Sequence, residues 1–314
     1  MFHLPLWDYN PLSSNGDTSP STTRQLKPKV SLWCSWHRNG TKINENLILV
    51  QAHKFLTHQY VPEYILIDDG WCTWADWFTP NPAKFSHGIN RLAKKLALTG
   101  YQTGLWLAPF LVDPSSNLVK NHPDWLLKNP NGTFFNGFMS YPLIKDLTPK
   151  YLLDFTNPKV MGYLFKCLDI ILGDWKITLL KLDHLYAPFF APNSTKAELA
   201  SRAITTFFTY IQNKYPHVYT IACGCPFNIA THRVDAIRIS KDINSPHLNT
   251  VPLLGRLLYL KRRQMLHHKL AIATKLGLPY GIDPDAAINF SDAQKYHDLW
   301  QSDKIQVFGL GYNL

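Results

Sequence analysis

The chain has 314 residues, of which 46% are hydrophobic, 13% aromatic and 17% charged, and its formal net charge is +10. This composition excludes an intrinsically disordered chain, because disordered chains are poor in aromatic residues and rich in charge. Five cysteines without a Cys-x-x-Cys pair indicate neither a disulfide framework nor a structural zinc site. No apolar run approaches the ~18 residues that a membrane-spanning helix needs.

The positive charge is mostly scattered along the chain. Its densest cluster, residues 260–269, is more typical of a solvated helix face than of a nucleic-acid interface. Residues 1–23 lack a basic segment followed by an apolar run, so no signal peptide is predicted. We therefore expect a cytoplasmic protein that binds neither nucleic acid nor a membrane.

Residues 1–27 are rich in Ser, Thr, Asn and Pro and are predicted to form a flexible arm. From Val30 onward, short apolar runs alternate with longer amphipathic ones. The predicted strands are residues 30–36, 63–68, 102–109, 177–183, 217–223, 235–240, 280–283 and 304–310. The predicted helices are residues 43–60, 89–100, 156–172, 194–215 and 253–277, with Asn44, Thr156 or Asn157, and Ser194 as N-caps and Gly100 as a C-cap.

The alternation of strand and helix predicts the fold class. Continuous apolar strands joined by helices are typical of a parallel sheet that is covered on its faces. About eight such units fit a (β/α)8 TIM barrel, so residues 28–314 are predicted to form a single α/β domain. A doubly wound open sheet is the alternative, but no G-x-G-x-x-G follows the first strand.

Acidic residues recur at the carboxyl ends of the predicted strands, where such barrels build their active sites. Any one of them could be a helix N-cap, but capping alone explains four such strand ends poorly. Several carboxylates with tryptophans and no metal signature favour glycoside hydrolysis. The candidate residues are Asp68, Asp69, Trp106, Lys181, Asp183, Cys223, Gly224, Arg238, Asp242, Asp283 and Asp285.

The chain resembles the catalytic barrel of glycoside hydrolase family 36, the α-galactosidases of the melibiase clan. The resemblance rests on ordered segments from about Val30 to the end of the chain. They include "YILIDDGWCTWADW", "LLKLDHLYA", "IACGCPFNIATHRVDAIRISKDI" and "GIDPDA".

The resemblance implies Asp183 as the nucleophile and Asp242 as the general acid/base of a retaining double displacement, with carboxyl groups about 5–6 Å apart. No metal and no cofactor are implied. Lys181 precedes Asp183 by two residues, so both face one side of a strand and the cation favours an ionised nucleophile. Asp283 and Asp285 are implied to support the site from behind. The implied sugar-binding residues are Trp36, Asp68, Asp69, Trp106, Lys181, Cys223, Gly224 and Arg238.

The chain departs from the family pattern because the β-sandwich that usually precedes the barrel and the β domain that follows it are not found. A homo-oligomer or a partner that covers the barrel surface is therefore an open alternative. The expected substrate is a terminal α-D-galactosyl residue of an oligosaccharide or glycoconjugate. The alternatives are a galactosyltransferase of the raffinose or stachyose synthase kind, an α-N-acetylgalactosaminidase, and a non-catalytic sugar-binding barrel. Trp71 and Trp74 are weaker candidates for walls of the pocket.

Overall fold

The computed structural model of the protein describes most of the predicted barrel. The described residues are 27–138, 149–191, 195–239, 242, 260, 264, 281–283, 286–287, 293–294, 297–298, 300–301 and 305–314. Residues 1–26 of the predicted arm, the Ser194 cap and nearly all of the predicted helix 253–277 lie outside them.

The strands in the described part are β1 Val30–Cys34, β2 Tyr64–Ile67, β3 Gln102–Leu107, β4 Leu111–Val112, β5 Tyr151–Leu152, β6 Leu179–Leu182, β7 Tyr219–Ala222, β8 Ala236–Arg238, β9 Gly281–Asp283, β10 Ala286–Ala287 and β11 Val307–Leu310. The helices there are α1 Trp36–Asn39, α2 Glu45–Phe55, α3 Gly88–Leu98, α4 Asn117–Asn121, α5 Pro158–Leu168, α6 Thr195–Lys214 and α7 Phe227–Ala230. Short 3₁₀ segments cover Pro123–Trp125 and Ala187–Phe190, and a π-helical segment covers Asp169–Asp174.

Local sequence signals account for the helix ends. The Asn44 side chain accepts a hydrogen bond from the Leu47 amide and starts α2, as predicted. At α5 the cap is Asn157, which accepts from the Lys159 amide, with Pro158 in the first turn. The C-cap of α3 is Thr99, and the predicted cap Gly100 follows it with φ +89°, a conformation that glycine adopts without strain.

The main sheet is parallel and follows the order β10-β11-β1-β2-β3-β6-β7-β8-β9. Its two ends belong to one stretch of chain, because β9 pairs with β8 while β10 pairs with β11. β9 and β10 therefore lie between β8 and β11 in the sheet. The predicted (β/α)8 barrel is confirmed, and the alternative of an open doubly wound sheet is wrong.

Side chains alternate between the two faces of each strand and so form two separate apolar clusters. Alternate residues such as Val30, Leu66, Leu179 and Ile221 form one buried cluster inside the barrel. The intervening residues pack with the helices in a second cluster that includes Trp33, a residue of β1. Because side chains alternate, the residues that continue the inner set beyond each strand must face the barrel mouth.

Pairing of β4 with β5 adds an antiparallel hairpin that the sequence patterns do not predict. Leu111 pairs with Leu152 and Val112 with Tyr151, although about forty residues of sequence separate the two strands. Each strand has two residues, which is too short to show an alternating pattern. The hairpin lies between β3 and α5 in the chain, in the loop that follows the carboxyl end of β3.

No helix in the described part of the chain is long and apolar enough to cross a membrane.

Gly70 is expected to be the least replaceable glycine near the second strand. It has φ +104°, and a Cβ there would lie 2.6 Å from the Thr41 carbonyl oxygen and 2.7 Å from its Cα. Gly70→Ala should lower the free energy of unfolding by about 3–5 kcal/mol, because backbone strain and a backbone clash add. Urea denaturation measures this change.

Gly100→Ala is the matched control, since Gly100 also has a positive φ but open space around a new Cβ. Its expected cost is about 1–2 kcal/mol, from the left-handed conformation alone. Equal losses in the two variants would contradict a close backbone approach at Gly70.

Candidate active site

The mouth of the barrel collects the residues that continue the inner face of each strand. Register pairing sets Trp106 beside Lys181 and Arg238 beside Asp283, so neighbouring strands present these side chains at matching heights. The inward-facing residues at the carboxyl ends of the strands are Asp68, Trp106, Lys181, Asp183, Cys223, Arg238 and Asp283. The period of two along a strand thus brings residues far apart in sequence into one site.

Asp183 lies directly after β6 and is fixed by several hydrogen bonds. Its amide donates to the Leu107 carbonyl oxygen at 2.8 Å, which extends the β3–β6 ladder by one step. The Trp106 indole donates to Oδ2 at 3.1 Å, and the His184 amide donates to Oδ1 at 2.7 Å. The side chain remains 25% exposed, so a ligand in the barrel mouth can reach the carboxylate.

The pKa of Asp183 is lowered to about 2. Burial alone would raise it, but the fields of His184 and Lys181 and the two hydrogen bonds from Trp106 and the His184 amide outweigh burial. The ionised carboxylate that a nucleophile requires is therefore the stable form at neutral pH. Its contribution to folding stability is lost as the pH falls from 3.8 toward about 2.

Asp242 is held by Trp36, the first residue of α1, and by Arg238, the last residue of β8. The Trp36 indole donates to its Oδ2 at 3.0 Å, and an Arg238 guanidinium nitrogen lies 3.3 Å from Oδ1. The same guanidinium donates through Nε to Asp283 at 3.0 Å. Trp36 follows β1, which is not a neighbour of β8 in the sheet, so the Trp36–Asp242 hydrogen bond joins two separate parts of the rim. The Asp242 side chain is 36% exposed.

Asp68 and Lys181 form a buried ion pair beneath the mouth. The Lys181 ammonium donates to Oδ2 of Asp68 at 2.6 Å, and both side chains are 2% exposed. The Cys34 thiol donates to the same oxygen at 3.2 Å, and the Ser35 hydroxyl accepts from the Asp68 amide. Burial lowers the pKa of Lys181, but the Asp68 carboxylate outweighs burial and raises it well above the ordinary value.

Asp69 faces a different environment from its neighbour. The Trp74 indole donates to its Oδ1 at 2.7 Å. Burial raises the pKa of Asp69 and Asp68 adds to that effect, whereas the indole bond and Lys150 oppose it; the result is a pKa of about 6. Two adjacent aspartates therefore differ, since Asp68 is tied to a buried cation and Asp69 hydrogen-bonds to an indole.

Of the remaining predicted residues, Cys223 and Gly224 lie in the same region, Asp285 is not described, and Trp36 differs from its predicted position in β1. Cys223 is buried at the end of β7, and burial raises the pKa of its thiol. Gly224 has φ +67° and lies against Tyr186, where a Cβ would come within 2.8 Å of the ring. Asp285 lies outside the described residues. Trp36 was expected at the end of the first strand, but β1 ends at Cys34 and Trp36 begins α1.

Sequence reasoning missed two residues and placed another only weakly. His184 was not among the candidate residues, yet its Nε2 lies 4.0 Å from Oδ2 of Asp183 and its ring packs 5.3 Å from that of Trp74. Lys150 was not considered, and its Nζ lies 5.0 Å from the centroid of Trp74. Trp74 was only a weak candidate, whereas Trp71 is fully buried and donates to the Trp106 carbonyl. The position of His184 directly after Asp183 was the one available signal.

The parallel barrel brings carboxylates, cations and indoles together at one rim, the position at which such barrels build their active sites. The Melibiase family model matches residues 29–228, and the chain belongs to this family. The predicted resemblance to a family 36 catalytic barrel is thereby confirmed. The segment from Val30 to Cys223 that carries Asp68, Asp69 and Asp183 lies within the match, while Asp242 lies beyond it.

Curated proteins named α-galactosidases match this chain at low sequence identity. α-Galactosidase AgaA of Geobacillus stearothermophilus is 28% identical over 178 residues, which are 52% of this chain and 23% of that protein. Probable α-galactosidase C of Aspergillus terreus is 26% identical over 210 residues, or 60% of this chain and 26% of that protein. The matched segments thus amount to about a quarter of each relative.

Solved structures share the fold over nearly the whole chain. An α-galactosidase of Thermus thermophilus in complex with stachyose has a TM-score of 0.71 at 24% identity, covering 92% of this chain and 62% of that one. The family 36 α-galactosidase AgaA of Geobacillus stearothermophilus has a TM-score of 0.62 at 20% identity, covering 93% of this chain and 40% of that one. At these identities the likeness shows the fold.

Removal of the buried ammonium group of Lys181 should destabilise the folded protein. Lys181→Met leaves Asp68 in the barrel without its ammonium partner, so the free energy of unfolding should fall by about 3–5 kcal/mol. The double variant Lys181→Met with Asp68→Asn should recover part of this loss, because no unpaired charge remains buried. Urea denaturation followed by circular dichroism measures both.

Arg202→Met is the matched control, since Arg202 and Glu198 form an exposed pair 3.4 Å apart on α6. Its expected effect is below about 0.5 kcal/mol. If Lys181→Met lowered the free energy of unfolding by as little as Arg202→Met, the Lys181–Asp68 pair would not be the stabilising buried ion pair assigned here.

Proposed function

We propose that this chain is the catalytic barrel of a retaining α-galactosidase, with Asp183 as nucleophile and Asp242 as general acid/base. The observation that carries the proposal is that two accessible carboxylates at the barrel mouth each accept an indole hydrogen bond yet differ in their other partners. Melibiase membership and the names of the relatives support the sugar and the bond type.

The environment of Asp183 suits attack on the anomeric carbon. A nucleophile must be ionised before substrate binds, and the pKa of about 2 ensures this at any working pH above about 4. The Trp106 indole fixes Oδ2, and the backbone of His184 fixes Oδ1. A carboxylate held in this way is oriented for a single line of approach, which lowers the entropic part of the barrier.

Asp242 is suited to proton transfer at the leaving oxygen. It is the more exposed of the two carboxyl groups and lies at the edge of the mouth, where the aglycone would leave. Trp36 and Arg238 hold its two oxygens, and Asp283 shares the guanidinium and so draws part of its charge away from Asp242. The group would protonate the leaving oxygen and then deprotonate the attacking water.

The paired aspartates after β2 are proposed to select the sugar. Asp69 offers carboxylate oxygens beside an indole, a combination that binds hydroxyl groups next to an apolar sugar face. Asp68 and Lys181 lie deeper, and their ion pair would hold the floor on which the galactosyl hydroxyls rest. The expected substrate is a terminal α-D-galactosyl residue of an oligosaccharide or glycoconjugate.

A panel of nitrophenyl α- and β-glycosides tests the activity. The purified chain should release nitrophenol from the α-galactoside and not from the β-galactoside, and Asp183→Ala should lower kcat by about 10³-fold or more. Preference for the α-N-acetylgalactosaminide, or product formed only with a sugar acceptor, would replace galactoside hydrolysis by one of the alternative activities.

Azide assigns the roles of the two carboxylates. In Asp183→Ala, azide should attack from the vacated face and give the β-galactosyl azide. In Asp242→Ala, azide should replace water on the galactosyl-enzyme and give the α-galactosyl azide, with activated dinitrophenyl substrates spared relative to melibiose. Formation of the same anomer by both variants, measured by proton NMR, would contradict the assignment of Asp183 as nucleophile and Asp242 as acid/base.

The acid limb of the pH profile should report Asp69. As the pH falls through about 6, Asp69 gains a proton and loses acceptor capacity, so kcat/KM should fall there although Asp183 is still ionised. Asp69→Asn should lower the plateau of kcat/KM and abolish this limb. Asp124→Asn, at an exposed carboxylate before Trp125, is the control and should keep the wild-type limb. An unchanged limb in Asp69→Asn would refute the assignment.

A further inference from the structure

The β4–β5 hairpin brings a lysine against the wall of the candidate sugar site. Lys150 directly precedes β5, and its Nζ donates a 2.6 Å hydrogen bond to Oδ2 of Asp113, which directly follows β4. The same ammonium lies 5.0 Å from the centroid of the Trp74 ring. Lys150 is 9% exposed, so its charge is held in place by the hairpin.

Trp74 connects this cation to the sugar-binding carboxylate. Its indole nitrogen donates to Oδ1 of Asp69 at 2.7 Å, and its carbonyl oxygen accepts from the Asp113 amide at 3.2 Å. The hairpin therefore holds the backbone of Trp74 through Asp113 and the ring through Lys150. The ring of His184 also packs against the indole, 5.3 Å away.

We propose that Lys150 is a positioning residue for Asp69: it fixes the Trp74 indole and supplies the positive charge that favours an ionised sugar-binding carboxylate. The inference rests on the proposed function, because it takes Asp69 to contact the galactosyl hydroxyls. Lys150 touches the ring of Trp74 and so acts through that residue.

Two physical effects give Lys150 this role. A cation against an indole ring is attracted to its π-system, and the polarised ring has a stronger N–H donor for Asp69. The cation also opposes the burial that raises the pKa of Asp69. Asp69, Gly70 and Trp74 are faced by these titratable and charged groups: Asp68, Cys72, Lys84, Lys150 and His184.

Lys150→Met in the full chain is the primary test, since methionine keeps much of the apolar stem and removes the charge. The acid limb of kcat/KM should move up by about half to one pH unit, and KM at pH 6 should rise about threefold to tenfold. The kcat value at neutral pH should change by less than about twofold, because Asp183 and Asp242 are untouched.

Two further variants separate this role from a structural one. Lys150→Arg keeps the charge and should restore the wild-type limb. Asp113→Asn removes the anionic partner and leaves the cation, so its limb should move down in pH, opposite to that of Lys150→Met. Should Lys150→Met not fold, the direction of the shift in Asp113→Asn decides, and an upward or absent shift overturns the proposal.

Lys214→Met is the matched control. Lys214 also pairs with an aspartate, Asp169 at 2.7 Å, and lies 5.3 Å from the ring of Tyr210. Lys214 is the last residue of α6. The carboxyl ends of the helices lie at the opposite face of the barrel from the carboxyl ends of the strands, which carry the site. Its acid limb and KM should match those of the wild type.

The carboxyl pKa of Asp69, measured by carbon NMR, distinguishes the two levels of proposal. A higher pKa in Lys150→Met than in the wild type supports the role of Lys150 even if no α-galactoside is hydrolysed, in which case the proposed function is what fails. Equal pKa values and equal acid limbs in the two proteins overturn the inference, as does a loss confined to kcat.

Discussion

The buried pair of Lys181 and Asp68 connects the inner face of the barrel to its mouth. A charge that is 2% exposed is stable only when it has a partner, and here each charge has the other at 2.6 Å. The two residues come from β6 and the end of β2, with β3 between them in the sheet. Their contact therefore fixes the inward direction of side chains across the strands that carry Asp183 and Asp69.

The carboxylates around this pair acquire different properties from their surroundings. Asp183 has a pKa of about 2 because cations and hydrogen-bond donors outweigh its burial, whereas Asp69 has a pKa of about 6 because they do not. Chemically identical side chains thus acquire different protonation behaviour from their surroundings, as the proposed roles of Asp183 and Asp69 require.

Aromatic side chains supply the second constraint on the site. The indole of Trp106 binds Asp183, that of Trp36 binds Asp242, and that of Trp74 binds Asp69. An indole is a donor without acceptor capacity, so each such contact stabilises the carboxylate and leaves an apolar face nearby. Donation and an apolar face together suit a ligand that presents hydroxyl groups on one side and C–H bonds on the other.

The sequence by itself determined the barrel and the rim on which Asp68, Asp69, Asp183 and Asp242 lie. Periodicity and strand ends are local properties, and parallel closure converts a strand end into a position in the site. The segment order also sufficed to suggest the family, and the region that matches the family model contains three of these four residues.

Only the tertiary structure decided how these residues are coupled. The hydrogen bond from Trp36 to Asp242 joins residues 206 positions apart, and the contact of Lys150 with Trp74 depends on a hairpin of two-residue strands. The ring of His184 likewise packs 5.3 Å from that of Trp74, and its backbone is left-handed, with φ 53°. No local pattern encodes such contacts, because burial and charge pairing at these sites depend on which strands lie side by side.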